Sequence, residues 1–436
     1  MIALPLYALL TACRTGIVVP IDSESPTTDS DTDLDSVPTD DSVETDETDE
    51  TDETQETADT QETGDTGDES AANDTIYEAF FDPAVIQEID LEIEDSVIIQ
   101  LNQGVEEYLP ANVTINGVSY PHVGVRLKGS STYQDLDCSD GICKAGFKLK
   151  LNEFIVDQKL GDIERVTLNN MTTDYTQSKE VIAYNLLREH SQLASRCNFA
   201  RVTLNGEEWG LYANLESADD HWLKRRFDDP SGEFFGTADY YGDFYGPYLD
   251  TGWVSKSGTG DMSQIEAVTA ALDSFGGDFF GELGPVINVD QWLEYWSWCA
   301  AVGNYDGYPF TLNDVLIYAD PADDARFTFM PWGMDESWDE LEVSGRTWNA
   351  VGGRLGTACL ADPACLDALK LKILDSADKY ESSDVIDMAQ AAWDLTEADV
   401  LTDPKRPVTP DTVWTYRDYY SAVMVGYPDY IRNQVQ

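Results

Sequence analysis

The chain has 436 residues, and 83 Asp plus Glu against 26 Lys plus Arg give it a formal net charge of −57 at pH 7. A nucleic-acid-binding role is excluded by that balance, because a phosphate backbone requires a basic face. Residues 22–74 hold 22 of the acidic side chains, no Lys or Arg and six apolar residues, so removing them leaves −35 on 383 residues of ordinary globular composition.

Taken in chain order, Met1 to Ala12 reads as a short apolar export segment, and Leu10-Thr11-Ala12-Cys13 looks like a bacterial lipobox without the usual basic start. The expectation is a signal peptide over 1–12, a lipidated Cys13, and a bacterial cell-envelope location facing the periplasm or the surface. Residues 13–75 then form an acidic tether repeating Thr-Asp-Glu, as in Thr45-Asp46-Glu47 and Thr48-Asp49-Glu50. With so little to bury, such a tract cannot offset its ordering entropy and stays extended by self-repulsion. Alternate Asp residues from Asp29 to Asp35 resemble part of a calcium loop, but the Gly and terminal Glu of an EF-hand are missing at the required offsets. No later run of about 18 apolar residues exists to span a membrane.

Folded structure is expected from Ile76, where apolar residues begin to recur. Val113–Ile115, Val123–Leu127 and Phe147–Leu151 read as strands, and Asn116-Gly117 predicts a hairpin turn. After a strand at Arg165–Leu168 comes a helix near Gln177–Ser191, and strands return at Ala200–Leu204 and Leu211–Leu215 around Asn205-Gly206. Beyond Ala218 the pattern is mainly helical, including Val289–Ala301 and Cys365–Tyr380, with one strand pair at Val315–Tyr318 and Phe327–Met330. A β-rich half with one key helix (76–217) followed by a helical half (218–436) makes a two-lobed α+β arrangement.

Of seven cysteines, lipidation of Cys13 leaves six. The spacings Cys138–Cys143 and Cys359–Cys365 suit small disulfide loops in an oxidising compartment, while Cys197 and Cys299 either pair or are simply buried. With three scattered histidines, zinc is disfavoured.

Arg126 and Lys128 share one strand face and lead into Gly129-Ser130-Ser131, whose backbone N–H groups suit phosphate oxygens. Lys148 lies in the next strand, and Glu180 on the helix is a partner for it, as kinases pair a lysine against nucleotide phosphates. Asp306 follows an apolar helix and suits a base, while Asn313, Asp314 and Asp335 sit at facing hairpin ends and supply hard oxygens for Mg²⁺. Read singly, each is as well explained as a solvated strand charge or a turn residue.

In order along the chain, Val123-Gly-Val-Arg-Leu-Lys-Gly-Ser-Ser, Gly146-Phe-Lys-Leu, Leu168-Asn-Asn-Met-Thr-Thr-Asp through Lys179-Glu180, and Asn205-Gly-Glu-Glu-Trp-Gly-Leu-Tyr through Glu216 are followed by Gly303-Asn-Tyr-Asp and Met330-Pro-Trp-Gly-Met-Asp. These six blocks resemble the spore-coat protein H (CotH) kinase family, from about Tyr77 to Asp335 and more weakly through the tail. The resemblance implies an atypical two-lobed protein-kinase-like fold and an extracytoplasmic enzyme using ATP and Mg²⁺ to phosphorylate Ser or Thr of a surface protein or of its own tether. It implies that Lys148 meets the nucleotide phosphates with Glu180 as helix partner, and that Asp306 is the catalytic-loop aspartate. Asn313 or Asp314 would hold Mg²⁺ with Asp335. Arg126, Lys128 and Ser130 would cover the phosphates, Glu216 would lie near the hinge that meets adenine, and Lys256 would approach the site. Two departures stand out: many members carry Asp where this chain has Gly333, and Asn where it has Asp314.

A non-enzymatic alternative is an inactive kinase-like, surface-anchored binding protein. A carbohydrate-active protein is suggested by 11 Trp and 22 Tyr. Hydrolase templates are absent: there is no Gly-x-Ser-x-Gly, His-Glu-x-x-His or Walker A sequence. The partners expected are a basic protein or the tether itself, no nucleic acid, and the membrane only through the lipid anchor.

Overall fold

The computed structural model describes residues 66–436, apart from 130, 131, 137–142, 192, 239–241, 247, 248, 250 and 339–346. The expected signal peptide, Cys13, most of the acidic tether, Ser130 and Cys138 lie outside the described residues. Gly64–Gln436 forms one compact unit.

Two Asn-Gly turns set the register of the first sheet. Asn116 and Gly117 have φ of 49° and 80°, and Asn205 and Gly206 have φ of 53° and 81°. Successive positive φ values match a two-residue turn to strand twist, and these residue types reach them cheaply. The first turn joins β2 (Leu109–Ile115) to β3 (Val118–Lys128), and the second joins β6 (Cys197–Leu204) to β7 (Glu207–Leu215). With β1 (Ile86–Glu92), β4 (Gly146–Lys150) and β5 (Arg165–Asn169) they close a seven-stranded barrel of order β1-β2-β3-β4-β5-β7-β6. Closure comes from parallel pairing of β1 with β6, a long-range contact that leaves no free edge. Alternation along β3 and β4 puts Val125, Leu127, Phe147 and Leu149 in the barrel core and turns Arg126, Lys128 and Lys148 to the other face.

A second, antiparallel sheet has the order β11-β10-β8-β9, formed by β8 (Phe234–Thr237), β9 (Trp253–Ser257), β10 (Val315–Asp320) and β11 (Arg326–Pro331). The sequence reading finds β10 and β11 but not β8 and β9. The first three residues of β8 are buried, so that strand carries no alternating pattern.

Helices number twelve among the described residues. Three precede residue 217: α1 (Thr66–Phe80), α2 (Asp95–Asn102) and α3 (Lys179–His190). Beyond it come α4 (Asp220–Lys224), α5 (Ser263–Asp273), α6 (Phe279–Leu283), α7 (Val289–Ala301), α8 (Tyr308–Thr311), α9 (Arg354–Ala361), α10 (Pro363–Ser382), α11 (Val385–Thr402) and α12 (Pro410–Val435). The fold is therefore mixed α+β, with more helix before residue 217 and more strand after it than expected.

One hydrophobic core spans both halves. Leu186 of α3, Phe199 and Leu211 of the barrel, Trp298 of α7, Tyr380 of α10 and Val413 of α12 pack in a single cluster. Burying a large apolar side chain contributes roughly 1.5–3 kcal/mol, so α3 is gripped from two sides.

Order also begins earlier than Ile76. Asn73 Nδ2 donates to Asp162 Oδ1 at 3.0 Å, and Arg225 pairs with Asp74 at 2.7 Å while lying 3.7 Å from the Tyr77 ring centroid. The last acid of the tract is used by a body cation. Cys359 and Cys365 form the expected disulfide, with Cα atoms 5.2 Å apart, and it joins α9 to α10. Cys143 is disulfide-bonded, whereas Cys197 and Cys299 are buried free thiols. Among the described residues, no helix is long and apolar enough to cross a membrane.

Candidate active site

A cavity of about 740 Å³ opens between the charged face of the barrel and the ends of the β10–β11 hairpin. Arg126, Lys128 and Lys148 line it from β3 and β4, and Glu180 from α3. Asp306, Asn313, Asp314 and Asp335 line it from the loops around the second sheet. Eight residues spread over more than 200 positions of sequence thus meet in one space.

The cations form one wall. Arg126 stands opposite Lys148 in the strand register, and Lys128 opposite Gly146. Gly146 matters because a Cβ there would meet Lys128 Cγ at 3.0 Å. Across it the Lys128 ammonium donates to Asn169 Oδ1 on β5. Lys256 adds a fourth charge. It is the extra residue of a β-bulge, since Phe234 pairs with Ser257 but Phe235 with Ser255, and its Cε passes 2.7 Å from where a Cβ of Gly236 would be. Burial, then Lys256, Lys128 and Arg126, push the Lys148 ammonium well below its usual range. Burial, then Arg126 and Lys128, lower Lys256 as well. No carboxylate among the described residues lies within ion-pair distance of Lys148.

Glu180 differs from expectation. Both its oxygens accept from Asn169 Nδ2, at 2.7 and 2.8 Å, and burial followed by the nearby Asp335 charge pushes its carboxyl up to about 7. The lysine that offsets this is Lys128. The expected Lys148–Glu180 pair is replaced by a Lys128–Asn169–Glu180 chain, because Lys128 lies two residues further along β3, toward α3. Asn169 is the link that residue-by-residue reading passes over; the only sequence signal for it is its place in the Leu168-Asn-Asn block.

The acids form the opposite wall. Asp314 sits at φ 40°, a strained conformation for a residue with a side chain, and burial plus Asp306 and Asp335 hold its carboxyl well above the usual range. Asn313 Nδ2 donates to Asp306 Oδ2 at 3.4 Å, and Thr311 Oγ1 to the Asp306 carbonyl at 2.6 Å. The Tyr295 hydroxyl on α7 donates to the Asp314 carbonyl at 2.9 Å and accepts the Tyr308 N–H at 3.0 Å, fixing both ends of the loop. Gly333 has φ 58°, and a Cβ there would lie 2.1 Å from Asp314 Oδ2. The two positions at which the chain departs from the family pattern are therefore neighbours competing for one space.

Among the described residues, no group of three or more His, Cys, Asp or Glu is placed to hold a metal on its own. Mg²⁺ needs less from protein, because it keeps several waters and shares phosphate oxygens. Asp314 and Asp335 with the Asn313 amide fit that partial role. The physical reason a cation is suited here is that burial, then the Asp306 and Asp335 charges, hold the Asp314 carboxyl well above its usual range.

Glu216 does not line the cavity, although Leu215 does. Its oxygens accept from Tyr77 Oη at 2.6 Å, Arg226 Nη2 at 2.5 Å and the Arg196 N–H at 2.7 Å. Burial alone would raise the carboxyl; Arg226 and Arg196 outweigh it and hold it at about 2. The expected contact with adenine is corrected to a structural one, because no oxygen of Glu216 is left for a ligand.

The model of the CotH kinase protein family matches residues 125–415. Inner spore coat protein H of Bacillus subtilis (strain 168) is 25% identical over 191 residues, which is 40% of this chain and 49% of that protein. The chain thus spans about half the length of this curated relative. The matched region contains every cavity residue described above from Arg126 to Asp335, and on that extent the chain belongs to the CotH kinase family.

Proposed function

We propose that this chain is an atypical, two-lobed protein kinase, with 76–217 as β-rich lobe and 218–436 as helical lobe, that transfers the γ-phosphate of ATP to Ser or Thr. The observation that carries the reading is the division of one cavity into a wall of cations, none ion-paired to a carboxylate among the described residues, and a wall of crowded carboxylates. Phosphoryl transfer needs positioning and charge neutralisation more than covalent chemistry, and this arrangement supplies both.

In this reading Arg126, Lys128 and Lys148, with Lys256 behind them, bind the phosphate oxygens, whose charge restores the depressed lysines to their ionised form. Glu180 holds Asn169, and Asn169 orients Lys128. Asp306 accepts the proton of the acceptor hydroxyl as the new O–P bond forms and the bond between the β- and γ-phosphates breaks, leaving ADP. Mg²⁺ held by Asp314, Asp335 and Asn313 would supply charge neutralisation at the phosphates. The Tyr295 hydroxyl keeps the Asp306–Asp314 loop in place.

The location follows the same proposal: a lipid-anchored protein of the bacterial cell envelope. The acceptor is a basic segment of a surface protein, drawn in by the acidic body, or the Thr-rich tract of residues 22–65, which tethering keeps at high effective concentration. The full chain incubated with Mg²⁺ and γ-labelled ATP should incorporate label, and Asp335→Ala should abolish incorporation. Nucleotide binding without incorporation into basic proteins or the chain itself would favour the inactive binding protein. Absence of any Mg²⁺-ATP binding would overturn the reading.

A further inference from the structure

We propose that α11 and α12 lock α3 in the position that completes the cavity, with Arg417 of α12 as the positioning residue for Glu180. The inference rests on reading Glu180 as part of the nucleotide site, but the lock itself is a property of the fold.

Glu180 lies in the first turn of α3, so its place is set by how that turn is held. Ser178, at the N-cap position, makes no side-chain cap bond; the cap comes from Asp174 instead. Its carboxylate accepts the backbone N–H groups of Thr176 at 2.8 Å, Ser178 at 2.6 Å and Lys179 at 2.7 Å. A buried carboxylate on three backbone donors makes the turn stiff and favours the helix N-terminus electrostatically.

This capped turn is then tied to the far end of the chain. Trp393 Nε1 of α11 donates to Ser178 Oγ at 2.9 Å. Arg417 Nε donates to the Thr176 carbonyl at 3.0 Å, and Arg417 Nη2 donates to Thr396 Oγ1 on α11 at 3.1 Å. The guanidinium also lies 4.9 Å from the Trp414 ring centroid and 5.8 Å from that of Trp393. Arg417 is 4% exposed, and no carboxylate among the described residues lies within ion-pair distance of it. Burial lowers it to about 10, so placing this charge inside costs free energy that a merely packed side chain would avoid. What it receives in return is the Thr176 carbonyl of the turn that carries Glu180 on one side and the Trp393 carbonyl and Thr396 hydroxyl of α11 on the other, which ties the two together. Arg417 and most of α12 lie beyond the family-matched residues 125–415, whereas Thr176, Ser178, Trp393 and Thr396 lie within them, so the lock joins the matched region to the helix that follows it.

The consequence concerns regulation. In kinases that are switched, movement of the helix bearing the glutamate is a common control point. Here that helix lies in a core shared with α10, α11 and α12, and its first turn is pinned by hydrogen bonds. The cavity is therefore assembled without a partner or a modification to bring α3 inward.

The test uses the full chain as Arg417→Gln, Arg417→Lys and the milder Trp393→Phe, which removes one hydrogen bond and keeps the ring. Hydrogen exchange is followed at the amides of 179–184 and, as a control, in β3 and β4. The expected result is a rise of roughly tenfold or more confined to α3, with partial rescue in the Lys variant. Mg²⁺-ATP affinity should fall by a similar factor, with the melting transition still cooperative. Unchanged exchange in α3, or an equal rise across the barrel, would overturn the lock. Should the wild type bind no nucleotide, the proposed function fails, yet the exchange pattern still decides this inference.

Discussion

Two clusters of buried charge, one around Glu216 and one in the cavity that its neighbour Leu215 lines, behave in opposite ways. At Glu216 the acid is matched: Arg226, Arg196 and Tyr77 use its oxygens, and the carboxyl is held at about 2. In the cavity, acids and bases stand on separate walls, and Glu180, Asp314 and Lys148 are all displaced toward their neutral forms. Charges that satisfy one another hold a fold together. Charges kept apart at a cost to the fold are suited to a ligand carrying both signs, as a metal–nucleotide complex does.

The sharpest way to break this contrast is Asp306→Asn. If the acidic wall works as proposed, turnover should fall by about 10²–10⁴-fold, while Mg²⁺-ATP affinity and melting temperature stay near wild type. Steady-state and binding measurements on the same preparation check it. A loss of affinity equal to the loss of turnover would place Asp306 among the nucleotide contacts instead.

Glu216→Gln should do the reverse, costing stability and leaving nucleotide affinity intact. Its folded carboxyl lies near 2 against an ordinary 4.5, worth about 3 kcal/mol at neutral pH. Because the folded value is depressed, that stability is present above about pH 4.5 and is lost as pH falls toward 2. The gap in stability between wild type and variant, measured by denaturant unfolding, should therefore close over that window. A gap independent of pH would mean that packing, and not charge, accounts for the effect.

For Asp314 the sign is opposite. Its folded carboxyl is raised, so its ionised form opposes folding at neutral pH, and the penalty is relieved as pH falls through the folded value. Asp314→Asn should stabilise the chain by about 1 kcal/mol at pH 7 while weakening Mg²⁺-dependent nucleotide binding, the trade expected where a site is kept strained for function. Thermal melting with and without Mg²⁺-ATP separates the two effects.

How much of this is legible in the sequence depends on the range of the interaction. Asn116-Gly117 and Asn205-Gly206 announce their hairpins because the turn is a local property of two residues. Alternation likewise puts Arg126 and Lys128 on one face without any structure, whereas Lys148 joins them through the β3–β4 register. The β1–β6 pairing that closes the barrel joins segments about 110 residues apart, and no local pattern encodes it. The same holds for the lysine chosen by Glu180. Lys128 and Lys148 look alike in sequence, and only the placement of α3 against Asn169 distinguishes them. Glu216 is opaque for a related reason: a glutamate just after a strand near the cavity gives no sign that two arginines, one twenty residues before it and one ten after, take its oxygens.

Gly333 and Asp314 carry this argument to the smallest expected net effect. The family resemblance read from the sequence implies Asp at the first position and Asn at the second, and here a Cβ on residue 333 would fall 2.1 Å from Asp314 Oδ2. One carboxylate thus fills the space the other would need, from the facing end of the same hairpin. Gly333→Asp alone should cost about 2–3 kcal/mol, from the clash and from a positive φ that side chains resist. Combined with Asp314→Asn, which removes the like charge but leaves the positive φ of residue 333, part of that cost should disappear. A double-mutant cycle on unfolding should show a coupling of about 1 kcal/mol or more, with Mg²⁺-ATP affinity recovered in the double variant beyond either single one. Additive losses would mean that the two departures arose independently, and that the acidic wall is set by Asp306 and Asp335 alone.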